Sequence, residues 1–327
     1  MEKKQKSAVL NSGSFEVLLE DYSMSLKALN RSQKTIDWYM DNLKNYFSFL
    51  SNSNMLKSIK QLGSQELKAY LLHLKERDRW PKNKYIKNKG RLSPFSIQAV
   101  ARAIKAFWSW LLKDGIIEEN PLAKFPLPKV PQNLIQTITV PDMKKLFEKI
   151  DRYSSAGERL YCMLMLLIDT GVRVGELVNI RMSDVDFAQG LITITMGKGQ
   201  KQRQVPFYSI TRKAILKYID GARTKLSSAE SDYVFVDQYG DHVSISSVQQ
   251  AIRRLAKKAG LAKCHPHLLR HTFASMYIAD NGPTFILKEL MGHQSILTTE
   301  KYIHLKTQDL KMQHKLHSPL KDIFKQE

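Results

Sequence analysis

The chain has 327 residues, enough for two buried cores. Its 51 Lys and Arg against 31 Asp and Glu leave a formal net charge of +20 beside a hydrophobic fraction of 43%, which excludes a disordered basic tail and describes a folded body whose positive field draws polyanions. Two cysteines, Cys162 and Cys264, exclude a disulfide scaffold and fit a reducing compartment, and the longest apolar run, Tyr161 to Ile168, falls far short of the roughly 20 residues of a membrane helix.

The opening residues, 1–13, read as a polar tail that develops no signal-peptide pattern, so a soluble, cytoplasmic protein is expected. From there apolar residues recur at helical spacing. Phe15, Leu18, Leu19, Tyr22 and Leu26 mark one helix; Ile36, Tyr39, Leu43, Phe47 and Leu50 mark a second, with Ser32 as its expected N-cap. Helical patterns over Ser64 to Lys75 and Pro94 to Lys113 complete an all-helical first domain, residues 14–120. Within it, WPKNKYIKNKGR (80–91) carries Lys82, Lys84, Lys87, Lys89 and Arg91 and no acid, and reads as an exposed loop that either grips phosphates or is simply solvated.

Residues 121–134 hold Pro121, Pro126, Pro128 and Pro131. Proline fixes φ and removes amide donors, so neither a helix nor a central strand runs through them, and they are expected to link two domains. The second domain, 135–304, opens with helical patterns at Pro141 to Ile150 and Gly157 to Ile168. A strand pair follows, Leu191 to Met196 and Arg203 to Phe207 around the turn GKGQKQ, and helices dominate afterwards. The fold class expected is mainly α with a small antiparallel sheet, α+β. Beyond it, residues 305–327 still carry Leu310, Leu316, Leu320, Ile323 and Phe324, which need a partner surface.

Four segments of the second domain stand out: TGVRVGEL (170–177), GKGQKQR (197–203), HPHLLRHTFAS (265–275) and MGHQSILTTEKYIH (291–304). Each alone is weak. Their order and spacing together resemble the tyrosine recombinase, or phage integrase, family, a likeness that runs from about residue 14 to about 305 and favours a compact Xer-like or transposon-encoded member. The resemblance implies a helical core-binding domain and a mixed catalytic domain that form a clamp on double-stranded DNA. It also implies a homo-tetramer on two DNA sites, or a tetramer shared with a related recombinase, with the tail after residue 304 exchanged between subunits, and no small-molecule substrate.

Site residues carry over position by position. Arg173 matches the family's first catalytic arginine, Lys198 its hairpin lysine, His267 and Arg270 its His-x-x-Arg pair, His293 the next histidine and Tyr302 the nucleophile. Glu176 matches the acidic residue of the first motif, and His271 is expected to support the site from beside Arg270. The chemistry suits these types. Arginine supplies an always-charged fork for non-bridging phosphate oxygens, and a tyrosine with a free pKa of about 10 needs a base or a positive neighbourhood to attack. His267 is the candidate base, Lys198 the candidate acid for the 5′ oxygen, and His293 a hydrogen-bond donor to the phosphate. No nucleotide-binding loop and no clustered carboxylates are visible, and Cys264, His265 and His267 fit no zinc spacing, so no cofactor and no metal are expected. Two rivals stand beside this reading: a DNA-binding module that has lost catalysis, and a type IB topoisomerase.

Overall fold

The computed structural model describes residues 15–77, 90–131, 136–195, 202–226, 231–261 and 263–292, and the chain divides into two compact units, Met1–Asn133 and Leu134–Glu327. Among its described residues the first unit holds four helices: α1 (Phe15–Ala28), α2 (Gln33–Asn52), α3 (Ser64–Glu76) and α4 (Pro94–Lys113). Serines punctuate it. The Ser32 hydroxyl accepts the Thr35 amide at 3.2 Å and caps α2; Ser93 does the same for α4, where Pro94 sits at the first position, whose amide has no intrahelical partner. The apolar stripes meet in one core around Leu43, Tyr46, Leu50, Phe107 and Trp108, and the Tyr22 ring stands edge-on to Phe107 with centroids 5.3 Å apart.

The proline-rich segment is not loose where it is described. Its prolines donate no amide, and side chains of the first unit serve four of its carbonyls. Ser64 Oγ donates to the Pro121 carbonyl at 3.1 Å, Gln98 Nε2 to that of Pro128 at 2.8 Å, and Lys105 Nζ to those of Ala123 and Phe125. Leu122 is fully buried between them.

In the second unit, α5 (Val140–Glu148) and α6 (Ser155–Thr170) precede a short α7 (Val174–Val178). Three antiparallel strands follow in the order β1 (Val185–Asp186), β2 (Leu191–Ile194), β3 (Arg203–Pro206), with Ile192 opposite Val205 and Ile194 opposite Arg203. The small antiparallel sheet expected from sequence is therefore present, with one more strand than the expected pair: β1 is two residues long, too short to show a period. Next, α8 (Ser209–Lys217) runs through a π-helical turn, Tyr218–Arg223, into α9 (Thr224–Leu226). Then come α10 (Ile245–Lys258), α11 (Pro266–Ala279) and α12 (Thr284–Met291). Helix α6 is the centre, its Cys162, Met163, Leu164, Leu166 and Leu167 all buried, and it packs on α7, α8 and α11. No helix among the described residues is long and apolar enough to cross a membrane.

Candidate active site

Two left-handed glycines shape the site. Gly171, at φ 62°, ends α6, and a Cβ there would stand 2.2 Å from the Phe273 ring, so only glycine fits both the backbone and the gap. The chain then turns sharply into α7, making Arg173 its N-cap residue. Glu176, three positions on, reaches back to accept the Arg173 amide at 2.8 Å, the position where a carboxylate also meets the positive end of the helix.

Glu176 is the hub of a charge cluster. Arg173 Nη1 donates to its Oε1 at 2.8 Å. From β3, Arg203 grips both oxygens, Nη1 to Oε1 at 3.1 Å and Nη2 to Oε2 at 2.8 Å. Burial by itself would raise the Glu176 carboxyl, but the hydrogen bonds from Arg203 and from the Arg173 amide and side chain outweigh it and hold the group below its ordinary value. It stays ionised while nearly buried.

The end of α12 supplies the second half. The last carbonyls of a helix have no intrahelical partner and carry its negative pole. Three consecutive ones are taken by three arginines: Leu290 by Arg203 Nε at 2.8 Å, Met291 by Arg270 Nη2 at 2.5 Å and Gly292 by Arg173 Nη2 at 3.3 Å. Arg270 Nη1 also donates to the Gly171 carbonyl at 2.5 Å, so this buried arginine ties α11 both to the α6–α7 turn and to the end of α12. The left-handed Gly292 leaves room for the Arg203 guanidinium, which a Cβ there would approach to 2.9 Å.

Arg173, Glu176 and Arg270 are thus brought together. His267 lies three residues before Arg270 on the same side of α11 and is exposed; His271 is half-buried next to Arg270, and Arg91 is exposed in the first unit. Lys198, His293, Tyr302, Lys82, Lys84, Lys87 and Lys89, and the tail from residue 305, lie outside the described residues. The motif resemblance assigns no role to Arg203. Its signal was faint but present: in a strand whose Val205 faces the core, alternation turns Arg203 to that same inner face. Cys264 is buried, which pushes its thiol up to about 11, and His265 Nδ1 accepts the Leu268 amide, so neither offers a ready metal ligand. Among the described residues no group of three His, Cys, Asp or Glu could hold a metal ion.

An α+β unit with three arginines converging on one helix end defines a class that comparison with known proteins resolves. The phage integrase family matches residues 136–309. The tyrosine recombinase XerC of Oceanobacillus iheyensis is 30% identical over 280 residues, 84% of this chain and 87% of the relative. XerC of Bacillus pumilus is 30% identical over 295 residues, 89% and 92%. Among solved structures, the Tn1549 transposon integrase in complex with circular intermediate DNA superposes with a TM-score of 0.72 at 20% identity, covering 91% of this chain and 98% of that one. The XerH site-specific recombinase bound to its difH substrate gives 0.67 at 22% identity, covering 95% and 87%. The chain belongs to the phage integrase family, and its enzyme class is that of a tyrosine recombinase.

Proposed function

We propose that the chain is a site-specific recombinase that cuts and rejoins DNA strands through a covalent 3′-phosphotyrosine, using neither metal nor nucleotide cofactor. The observation that carries this reading is the convergence of Arg173 and Arg270 on the Gly292 and Met291 carbonyls, immediately before His293 in the chain. Two fixed, always-charged forks at one point suit a phosphodiester whose non-bridging oxygens gain charge in the transition state. In the proposed step, the Tyr302 oxygen attacks phosphorus and its proton passes to His267. The bond from phosphorus to the 5′ oxygen breaks, and that oxygen takes a proton from Lys198. His293 hydrogen-bonds the phosphate. The phosphotyrosine conserves the energy of the broken bond, so the reverse attack by a 5′ hydroxyl rejoins the strand without a further energy source.

In the same reading, His271 supports Arg270, and Lys82, Lys84, Lys87, Lys89 and Arg91 contact DNA phosphates. The first and second domains, 14–120 and 135–304, close as a clamp on the duplex. Four copies act on two sites in the cytoplasm, with the 305–327 tail passed between them. Tyr302→Phe tests the nucleophile: the variant should retain duplex binding and yield no covalent protein–DNA adduct on nicked DNA, and an adduct from it would refute the assignment.

A further inference from the structure

The arrangement around Glu176 raises a question of charge. Glu176 is held against Arg173, and one carboxylate cancels one guanidinium. A neutral pair is a poor clamp for a phosphate. Arg203 changes that balance, because its fork takes both carboxylate oxygens and the three groups together carry one positive charge. It also holds the same carboxylate and the same helix end that Arg173 bonds. Through Nη1 and Nη2 it holds Glu176, and through Nε it holds the Leu290 carbonyl, two residues before the Gly292 carbonyl that takes Arg173 Nη2. Arg203 and Glu176 are nearly buried, with side-chain exposures of 9% and 8%, while Arg173 is 35% exposed. The inner arginine therefore faces the carboxylate and the outer one faces whatever enters the site.

We infer that Arg203 is a positioning residue for strand cleavage: by occupying Glu176 and the end of α12, it leaves the charge of Arg173 available to the scissile phosphate and fixes its direction. This rests on the proposed recombinase reading. It assigns Arg203 no contact with DNA, and its effect runs through Arg173.

The test uses the full-length chain and a nicked duplex selected from a random-sequence pool by covalent capture on the wild-type protein. Two versions of that duplex are compared, one with the native scissile phosphate and one with a methylphosphonate. The second lacks the negative charge that Arg173 would meet. Arg203→Met should slow capture of the native duplex by roughly ten- to hundredfold, less than the roughly 10²–10³-fold typical of a donor that touches the reacting group. On the methylphosphonate the deficit should shrink to about threefold or less, because the displaced charge is no longer needed. A purely structural defect would slow both substrates equally, and that result overturns the proposal.

A cycle with Glu176→Gln gives an independent reading. Once the carboxylate is gone, Arg173 is no longer offset, so adding Arg203→Met should cost little further; equal costs in both backgrounds would also overturn it. Should Arg203→Met fail to fold, Arg203→Lys keeps the charge and loses the bidentate fork. It should show a smaller deficit on the native duplex, again reduced on the methylphosphonate, and the same equal-deficit result counts against the proposal. A wild-type chain that captures no duplex from the pool overturns the recombinase reading and this proposal with it, an outcome distinct from wild-type capture with equal deficits.

Discussion

Replacing Gly171 with alanine separates two costs that the structure places on one atom. At φ 62° an alanine sits in the left-handed region, which disfavours a Cβ by about 1–2 kcal/mol. The new Cβ would also stand 2.2 Å from Phe273 Cδ1, a distance no real contact reaches, so the ring or the α6–α7 turn must move. Such overpacking typically costs about 1–3 kcal/mol, giving a combined loss of roughly 2–5 kcal/mol. With a urea slope of about 2 kcal/mol/M, the unfolding midpoint of the second unit should fall by about 1–2.5 M. Ellipticity is the probe to use, because all four tryptophans, Trp38, Trp80, Trp108 and Trp110, lie within Met1–Asn133 and their emission follows the other unit. Against a Phe273→Ala background the ring is gone, and the cost of Gly171→Ala should drop to the backbone part, about 1–2 kcal/mol. A midpoint shift below about 0.3 M in the single variant, or an undiminished one in the double, would refute the reasoning.

Three further outcomes are expected. Lys198→Ala should slow cleavage of ordinary DNA far more than cleavage of a duplex with a 5′-phosphorothiolate, since sulfur departs without a proton; equal losses would make Lys198 a phosphate-positioning group. Glu176 has a folded pKa below its ordinary 4.5, so its contribution to stability is complete above that value and is lost as pH falls through the folded pKa. Urea titrations on acidification should accordingly show a shallower loss of stability for Glu176→Gln than for the wild-type chain, and identical slopes would count against an ionised hub. A chain ending at Thr307 should still bind one site and should fail to form a stable tetramer on paired sites, which sedimentation would read directly.

Long apolar stripes make helices α1 to α6 legible, while those after α6 are foreseen only as a helical remainder. Ile36, Leu43, Phe47 and Leu50 are buried in α2 as their spacing requires, and Ser32 caps the helix as its side chain allows. Shorter features left less trace. Strand β1 has too few residues for a period, and the turn that pairs it to β2 follows no hydrophobic run. The described part of the proline-rich segment looks unstructured from composition, because the donors that serve its carbonyls, Ser64, Gln98 and Lys105, are distant in sequence. In the site, Arg173, Glu176 and Arg270 were identified through motif resemblance, whereas Arg203 closes the turn motif and its role depends on contacts 27 and 87 residues away. Non-local ion pairs of this kind have no periodic signature.

The three arginines hold main-chain atoms of α12, not its side chains. Substitutions and length changes in this helix should therefore be tolerated very differently. Exposed positions such as Phe285 and Glu289 can be exchanged freely without altering what the arginines grasp. Inserting or deleting one residue advances the helix by about 1.5 Å and turns it by about 100°, which carries all three carbonyls away from their partners at once. For anyone diversifying this enzyme, α12 is a ruler: the spelling of its exposed face is open, Leu287 and Met291 are buried and fixed, and its length is not open at all.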